Sequence, residues 1–83
     1  MSTIFSQIIN KKIDADIVYE DDICIAFNDI NPVAPIHILI IPKKEISTIN
    51  NIEENDKAIV GHLFIIAKKL AKKLKIDKNG YRL

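Results

Sequence analysis

The run Ile36–Ile41 restricts the fold more than any other feature, because it is apolar on both faces and proline stands on either side of it. Only His37 interrupts the run with a polar side chain. Such a pattern predicts a β-strand that is covered on two sides or central in its sheet. Pro42 has no backbone N–H to donate, and we expect it to end the strand.

Two shorter β-prone runs precede this strand, with an acidic turn between them. Asp16–Tyr19 and Ile23–Phe27 flank Glu20–Asp22, so we expect an antiparallel hairpin. Residues 28–35 contain two prolines and two asparagines, which favours a rigid irregular loop over a regular element.

Apolar residues at helical spacing predict two helices. Thr3 can cap a short first helix, whose inward face would carry Ile4, Phe5, Ile8, Ile9 and Ile13. Asn51 and Glu54 resemble a capping box before a longer helix. The predicted buried stripe of that helix is Ile59, Leu63, Ile66, Leu70 and Leu74. A wider apolar surface formed by Val60, Phe64, Ala67 and Ala71 predicts a partner, most simply a second copy.

The chain's last residues predict a turn at Asp77–Gly80 and the beginning of a strand at Tyr81–Leu83. These elements together predict one α+β domain. A chain of 83 residues buries only about 60–65% of its unfolded surface, so the loss of one element would matter.

Charge and cysteine content exclude several classes of function. The formal net charge is +1, which gives no overall electrostatic case for nucleic acid or an anionic membrane. Lysines from Lys68 to Lys78 are expected to form a solvated helix face, with a phosphate- or lipid-binding stripe as the alternative. Cys24 is the only cysteine, so no internal disulfide or multi-thiolate zinc site is expected. Without a signal segment or a membrane-length apolar run, we expect a cytoplasmic protein.

The candidate chemistry rests on three residues. His37 is either a hydrogen-bonded core histidine or part of a site beside the proline-bounded loop. Asp29 lies between Phe27 and Ile30, where it either accepts hydrogen bonds from ligand hydroxyls or forms an Asx turn. His62 is more typical of a surface or interface. The two glycines are too few for a phosphate-cradling P-loop.

Several segments together resemble the histidine-triad (HIT) family. They are Thr3–Phe5 with Ile8 and Ile9, Tyr19–Asp22, Ala26–Pro35, His37–Lys44, Gly61–Leu63 and Gly80–Arg82, and their order and spacing fit throughout. The likeness is to the branch of the protein kinase C-interacting nucleotide hydrolases, the purine nucleoside phosphoramidases. It implies an antiparallel meander sheet with a short N-terminal helix and one long helix that pairs with its twin in a homodimer.

The resemblance also implies a purine-nucleotide pocket. In it, Asp29 would hold the ribose hydroxyls, and His37 corresponds to a family histidine near the site. Phe27, Asn28 and Ile30 would flank the nucleoside, and the apolar wall would comprise Ile4, Phe5, Ile8 and Leu39.

Family chemistry at the nucleotide α-phosphate is carried by a His-x-His-x-His strand, and this sequence has no such strand. We therefore assign no catalytic residue, metal or cofactor. Residues 1–83 are interpreted as the N-terminal portion of a single HIT domain, related to nucleoside phosphoramidate and dinucleotide hydrolases but inactive as this chain. The alternative is a non-catalytic nucleotide- or protein-binding module that dimerises through its long helix. An open, apolar sheet edge predicts that the chain alone is unstable or associates.

Overall fold

A computed structural model describes residues 7–8, 15–29, 32 and 34–83. The chain divides into two compact units, residues 1–52 and residues 53–83. Of the predicted first helix, Gln7 and Ile8 are described and both are helical, whereas the Thr3 cap lies outside the described residues.

The first unit is built on a three-stranded antiparallel sheet in the order β1-β2-β3. The strands are β1 (Ile17–Glu20), β2 (Cys24–Asn28) and β3 (Ile38–Pro42). This confirms the predicted hairpin, the third strand and the meander topology. The third strand begins two residues later than predicted, because the backbone is still bent from Ala34 to Ile36. A register shift between Ile17 and Tyr19 interrupts the pairing of β1 with β2.

The central strand of this sheet is β2, not the apolar run that forms β3. Cys24, Ile25 and Ala26 are fully buried, and Phe27 is only 4% exposed. All five residues of β3 are half-buried, and within the described residues β3 lies at the edge of the sheet. The apolar pattern of the run allowed either a strand covered on two sides or a central one, and among the described strands the central position belongs to β2.

Asp21 closes the turn between β1 and β2. Its Oδ1 accepts hydrogen bonds from the backbone N–H groups of Ile23 and Cys24, both at 2.8 Å. The Tyr19 hydroxyl donates to Oδ2 at 2.7 Å, and this bond to a carboxylate raises the pKa of Tyr19 to about 12. Burial is the main reason that the pKa of the Cys24 thiol is raised to about 11. The Asp21 carboxylate thus sets the geometry with which the chain enters β2.

A second contact ties β3 to the other outer strand. Lys43 Nζ lies 2.9 Å from Glu20 Oε2, and this hydrogen-bonded ion pair raises the pKa of Lys43. The backbone N–H of Lys43 also donates to the carbonyl of Ile23 at 2.8 Å. Lys43, directly after β3, therefore contacts the residues on both sides of the turn between β1 and β2, Glu20 and Ile23.

The second unit contains the long helix α1 (Lys57–Lys73), preceded by a 3-10 turn at Glu54–Asp56. The capping box is formed by Glu53 and Asp56, each side chain accepting a hydrogen bond from the other's backbone N–H. The predicted box of Asn51 and Glu54 is therefore wrong. Asn51 belongs to a separate 3-10 turn, in which its side-chain oxygen accepts a hydrogen bond from the Thr48 hydroxyl at 2.8 Å.

The buried side of α1 follows the predicted stripe in its C-terminal half. Ile66, Leu70 and Ala71 are buried, whereas Leu74 lies beyond the helix and is exposed. Phe64 and Ile65 are 59% and 52% exposed. Ile59, Val60, Leu63 and Ala67 are half-buried. The helix thus has one buried side and an apolar pair on its exposed side.

A Schellman motif ends α1. The backbone N–H of Ile76 donates to the Ala71 carbonyl at 3.0 Å, and that of Lys75 donates to the Lys72 carbonyl at 3.1 Å. Lys75 adopts a φ of 62°, the left-handed conformation that this motif requires. The predicted turn follows at residues 77–79, but residues 81–83 have no strand pairing, so the expected start of a strand there is wrong. Across the described residues, α1 and the shorter helical turns are too short or too polar to cross a bilayer.

Candidate functional site

One face of the sheet carries a continuous apolar surface. Ile25 and Phe27 of β2 pair with Ile41 and Leu39 of β3, and residues two apart along a strand share a face. Ile8 packs with Ile25 and Phe27 into the core of this unit. Ala15, Leu39 and Ile41 pack partly buried against that core. The face therefore unites three of the predicted pocket residues, Ile8, Phe27 and Leu39.

The polar end of this face is formed by Asp29 and His37. The backbone N–H of Asp29 donates to the carbonyl of His37 at 3.0 Å, which extends the β2–β3 ladder by one residue pair. His37 Nδ1 lies 3.4 Å from Asp29 Oδ2. Their side chains are 29% and 23% exposed, respectively, so both remain accessible to solvent. A carboxylate and an imidazole thus meet beside the pair formed by Phe27 and Leu39.

This arrangement combines two kinds of recognition. The half-buried Leu39 side chain presents an apolar surface that is backed by the buried Phe27 ring, and such a surface suits a flat aromatic ligand. The Asp29 carboxylate is an acceptor for hydroxyl groups and has about four lone-pair directions. Beside it, the imidazole of His37 contributes a donor or an acceptor according to its protonation. An apolar wall that ends in a carboxylate can bind a molecule with an aromatic part and a hydroxylated part.

Asn28 is not brought into this group. Strand alternation places it on the face opposite Phe27, where its Nδ2 donates to Asp16 Oδ2 at 2.7 Å. Its backbone N–H also donates to the Asp16 carbonyl at 3.0 Å. The structure therefore places the Asn28 side chain in a contact with the start of β1, where it holds the strand that carries Phe27.

Three of the predicted pocket residues, Ile4, Phe5 and Ile30, lie outside the described residues. His62 is half-buried on α1. Sequence reasoning treated Asp29 and His37 separately and gave no role to Asp16. The information missing from the sequence was the register of β2 with β3. Once Asn28 is paired with Ile38, the next antiparallel pair is Asp29 with His37.

Comparison with known proteins identifies the family. The HIT domain model matches residues 10–83. An uncharacterized HIT-like protein from Buchnera aphidicola subsp. Baizongia pistaciae is 54% identical over 80 residues, which cover 96% of this chain and 71% of that protein.

Solved structures agree with the sequence relatives. A HIT family hydrolase from Legionella pneumophila superposes with a TM-score of 0.95 at 43% identity, covering 98% of this chain and 72% of its own. A histidine triad nucleotide-binding protein from Candida albicans has a TM-score of 0.83 at 34% identity, covering 99% of this chain and 55% of its own. The three-stranded sheet and the long helix are those of these proteins, and the chain belongs to the HIT family of hydrolase-like proteins.

Proposed function

We propose that this chain binds a purine nucleoside or nucleotide on the sheet face that ends in Asp29 and His37. The observation that carries the proposal is the position of the Asp29 carboxylate beside the Phe27–Leu39 pair, with His37 at 3.4 Å. The base would lie against the apolar part, and the ribose hydroxyls would donate to Asp29. The nucleotide-binding description of the Candida albicans relative supports this ligand class.

We also propose that these 83 residues supply binding without turnover, as the N-terminal portion of a HIT domain. HIT-type hydrolysis uses the middle histidine of a His-x-His-x-His strand as the nucleophile. The sequence contains two histidines, His37 and His62, and they are far apart along the chain. A phosphate-attacking imidazole needs neighbouring groups that aim it and donors that stabilise the developing charge, and the family provides these through the triad strand, whose spacing neither histidine matches.

Two measurements test these proposals. Isothermal titration calorimetry with adenosine and AMP should detect weak binding, and Asp29→Asn should reduce it. Turnover of adenosine phosphoramidate should be absent with the 83-residue chain and appear when a segment carrying a His-x-His-x-His strand is appended. Failure of the unsubstituted chain to bind either ligand would exclude the nucleotide site. Hydrolysis by the unextended chain would exclude the binding-only role.

A second candidate function is a binding module that dimerises through α1. Ile65 is the midpoint of the helix, and it and Phe64 are more than half exposed. Acidic residues stand before the helix and Lys72 and Lys73 stand in its last turn. In two antiparallel copies related by a two-fold axis, Phe64 and Ile65 of one helix would contact Phe64 and Ile65 of the other. The acidic residues before each helix would then lie near Lys72 and Lys73 of the other copy.

Light scattering over a range of concentrations tests this dimer. Phe64→Lys should shift the protein toward the mass of a monomer, whereas Lys69→Gln, on the same exposed side, should not. A dimer that persists in Phe64→Lys would point instead to association through a sheet edge such as that of β3, which is one of the two outer strands of the described sheet.

A further inference from the structure

We infer that His37 is a positioning residue: it holds the Asp29 carboxylate in the orientation that recognises the hydroxyl groups of a ribose. His37 thereby sets the preference for ribonucleosides over nucleosides that lack those hydroxyls. This inference rests on the proposed nucleoside site and assigns to His37 a role in specificity rather than in the chemical step.

The two residues are joined both through the backbone and through their side chains. The Asp29 N–H to His37 C=O hydrogen bond of 3.0 Å fixes the two Cα atoms across the ladder. The side-chain contact of 3.4 Å joins Nδ1, the ring nitrogen nearer the backbone, to Oδ2. Because both side chains leave the same face of the sheet, the imidazole limits the rotation of the carboxylate.

This restriction matters because Asp29 is 23% exposed and follows the last residue of β2. A partly exposed aspartate with no neighbour would sample several side-chain rotamers, and binding would have to select one of them. A carboxylate has about four lone-pair directions, so one that contacts His37 through Oδ2 still has acceptor capacity for two hydroxyls. The contact therefore orients Asp29 without occupying all of its acceptor capacity.

The matched ligands for the test are adenosine and 2′,3′-dideoxyadenosine, which share the base and differ in the two hydroxyls. Calorimetry on the full 83-residue chain gives the ratio of their affinities, here called the hydroxyl preference. Asp29→Asn should reduce this preference. His37→Leu should reduce it about tenfold, as expected for loss of a polar contact with a charged group.

Two conservative variants separate positioning from a general structural role. His37→Asn places an amide nitrogen where Nδ1 was and should keep most of the hydroxyl preference. His37→Gln places its nitrogen one bond farther out and should behave like His37→Leu. The affinity for dideoxyadenosine should be the same in all variants, which reports that the apolar part of the site is intact.

Three results would overturn the inference: an unchanged hydroxyl preference in His37→Leu, an equal loss of affinity for both ligands, or no rescue by His37→Asn. In each of these cases the unsubstituted chain still binds adenosine, so the nucleoside site stands and only the role of His37 fails. Absence of adenosine binding by the unsubstituted chain would instead refute the site itself, and this inference with it.

Discussion

Replacing Asp21 with alanine should destabilise the protein, because its carboxylate accepts three hydrogen bonds in the turn before β2. Those bonds come from the Tyr19 hydroxyl at 2.7 Å and from the backbone N–H groups of Ile23 and Cys24 at 2.8 Å. The turn is partly exposed, so water replaces part of each lost bond and each is worth about 1 kcal/mol. Asp21→Ala should therefore cost about 2–3 kcal/mol.

Asp21→Asn separates these contributions. Its side-chain oxygen can still accept from the two backbone N–H groups, and the strong bond from the Tyr19 hydroxyl to a charged oxygen is replaced by a weaker one in which the amide N–H donates to that hydroxyl. We expect a cost of about 1 kcal/mol, and a similar cost for Tyr19→Phe. The double variant should cost less than the sum of the two single variants, because both remove the same bond. A domain of this length is stable by roughly 4–12 kcal/mol, so the alanine variant loses a substantial part of that.

Urea unfolding followed by circular dichroism measures these differences. Asp22→Ala is the matched control, since Asp22 is the exposed neighbour with the same charge. The reasoning is refuted if Asp21→Ala is no more destabilising than Asp22→Ala, or if the costs of Tyr19→Phe and Asp21→Asn add fully.

Three further predictions concern the dependence of stability on pH and the two ends of α1. Tyr19 and Cys24 keep their protons more tightly when folded, with pKa values of about 12 and about 11 against ordinary values of 10.0 and 9.0, so stability should fall as pH rises from about 9 to about 12. Urea titrations at about pH 8 and about pH 10.5 test this, and an equal stability at both contradicts it. Lys75→Gly should stabilise the protein by about 1 kcal/mol, because Lys75 has a φ of 62° that glycine adopts without strain; a loss of stability on urea unfolding would exclude that explanation. Asp56→Ala should lower the free energy of unfolding by about 1–2 kcal/mol, because it removes the acceptor for the Glu53 N–H. Asp56→Asn keeps an acceptor oxygen and should cost less. Equal costs of the two variants in thermal unfolding would count against the capping box.

Local patterns were sufficient to predict most elements of this fold. The hairpin around Glu20–Asp22, the strand that Pro42 ends and the long helix all follow from short-range periodicity and turn chemistry. Boundaries were less accurate. β3 begins at Ile38, because the backbone is still bent up to Ile36. The capping box uses Glu53 and Asp56, because hydrogen bonds in neighbouring turns decide which of several similar residues forms the cap.

The candidate site was predicted residue by residue but not as an arrangement. Asp29 and His37 could be proposed from their positions beside a rigid loop, since such loops commonly build binding sites. Phe27 and Leu39 were proposed only from the resemblance to the HIT family. Their mutual placement depends on the β2–β3 register, which is a long-range property. The same register turns the Asn28 side chain to the other face and onto Asp16.

The sequence by itself determined the α+β class and the order of the elements, because these depend on patterns along the chain, and its motifs carried the resemblance to the HIT family. Only the tertiary structure decided that β2 is the central strand, that Phe64 and Ile65 are exposed, and that Asp29 meets His37. The physical reason is that strand order, burial and side-chain contact depend on which distant segments pair and in which register. Residues of the same polarity can fit several such pairings, so their local pattern does not select one.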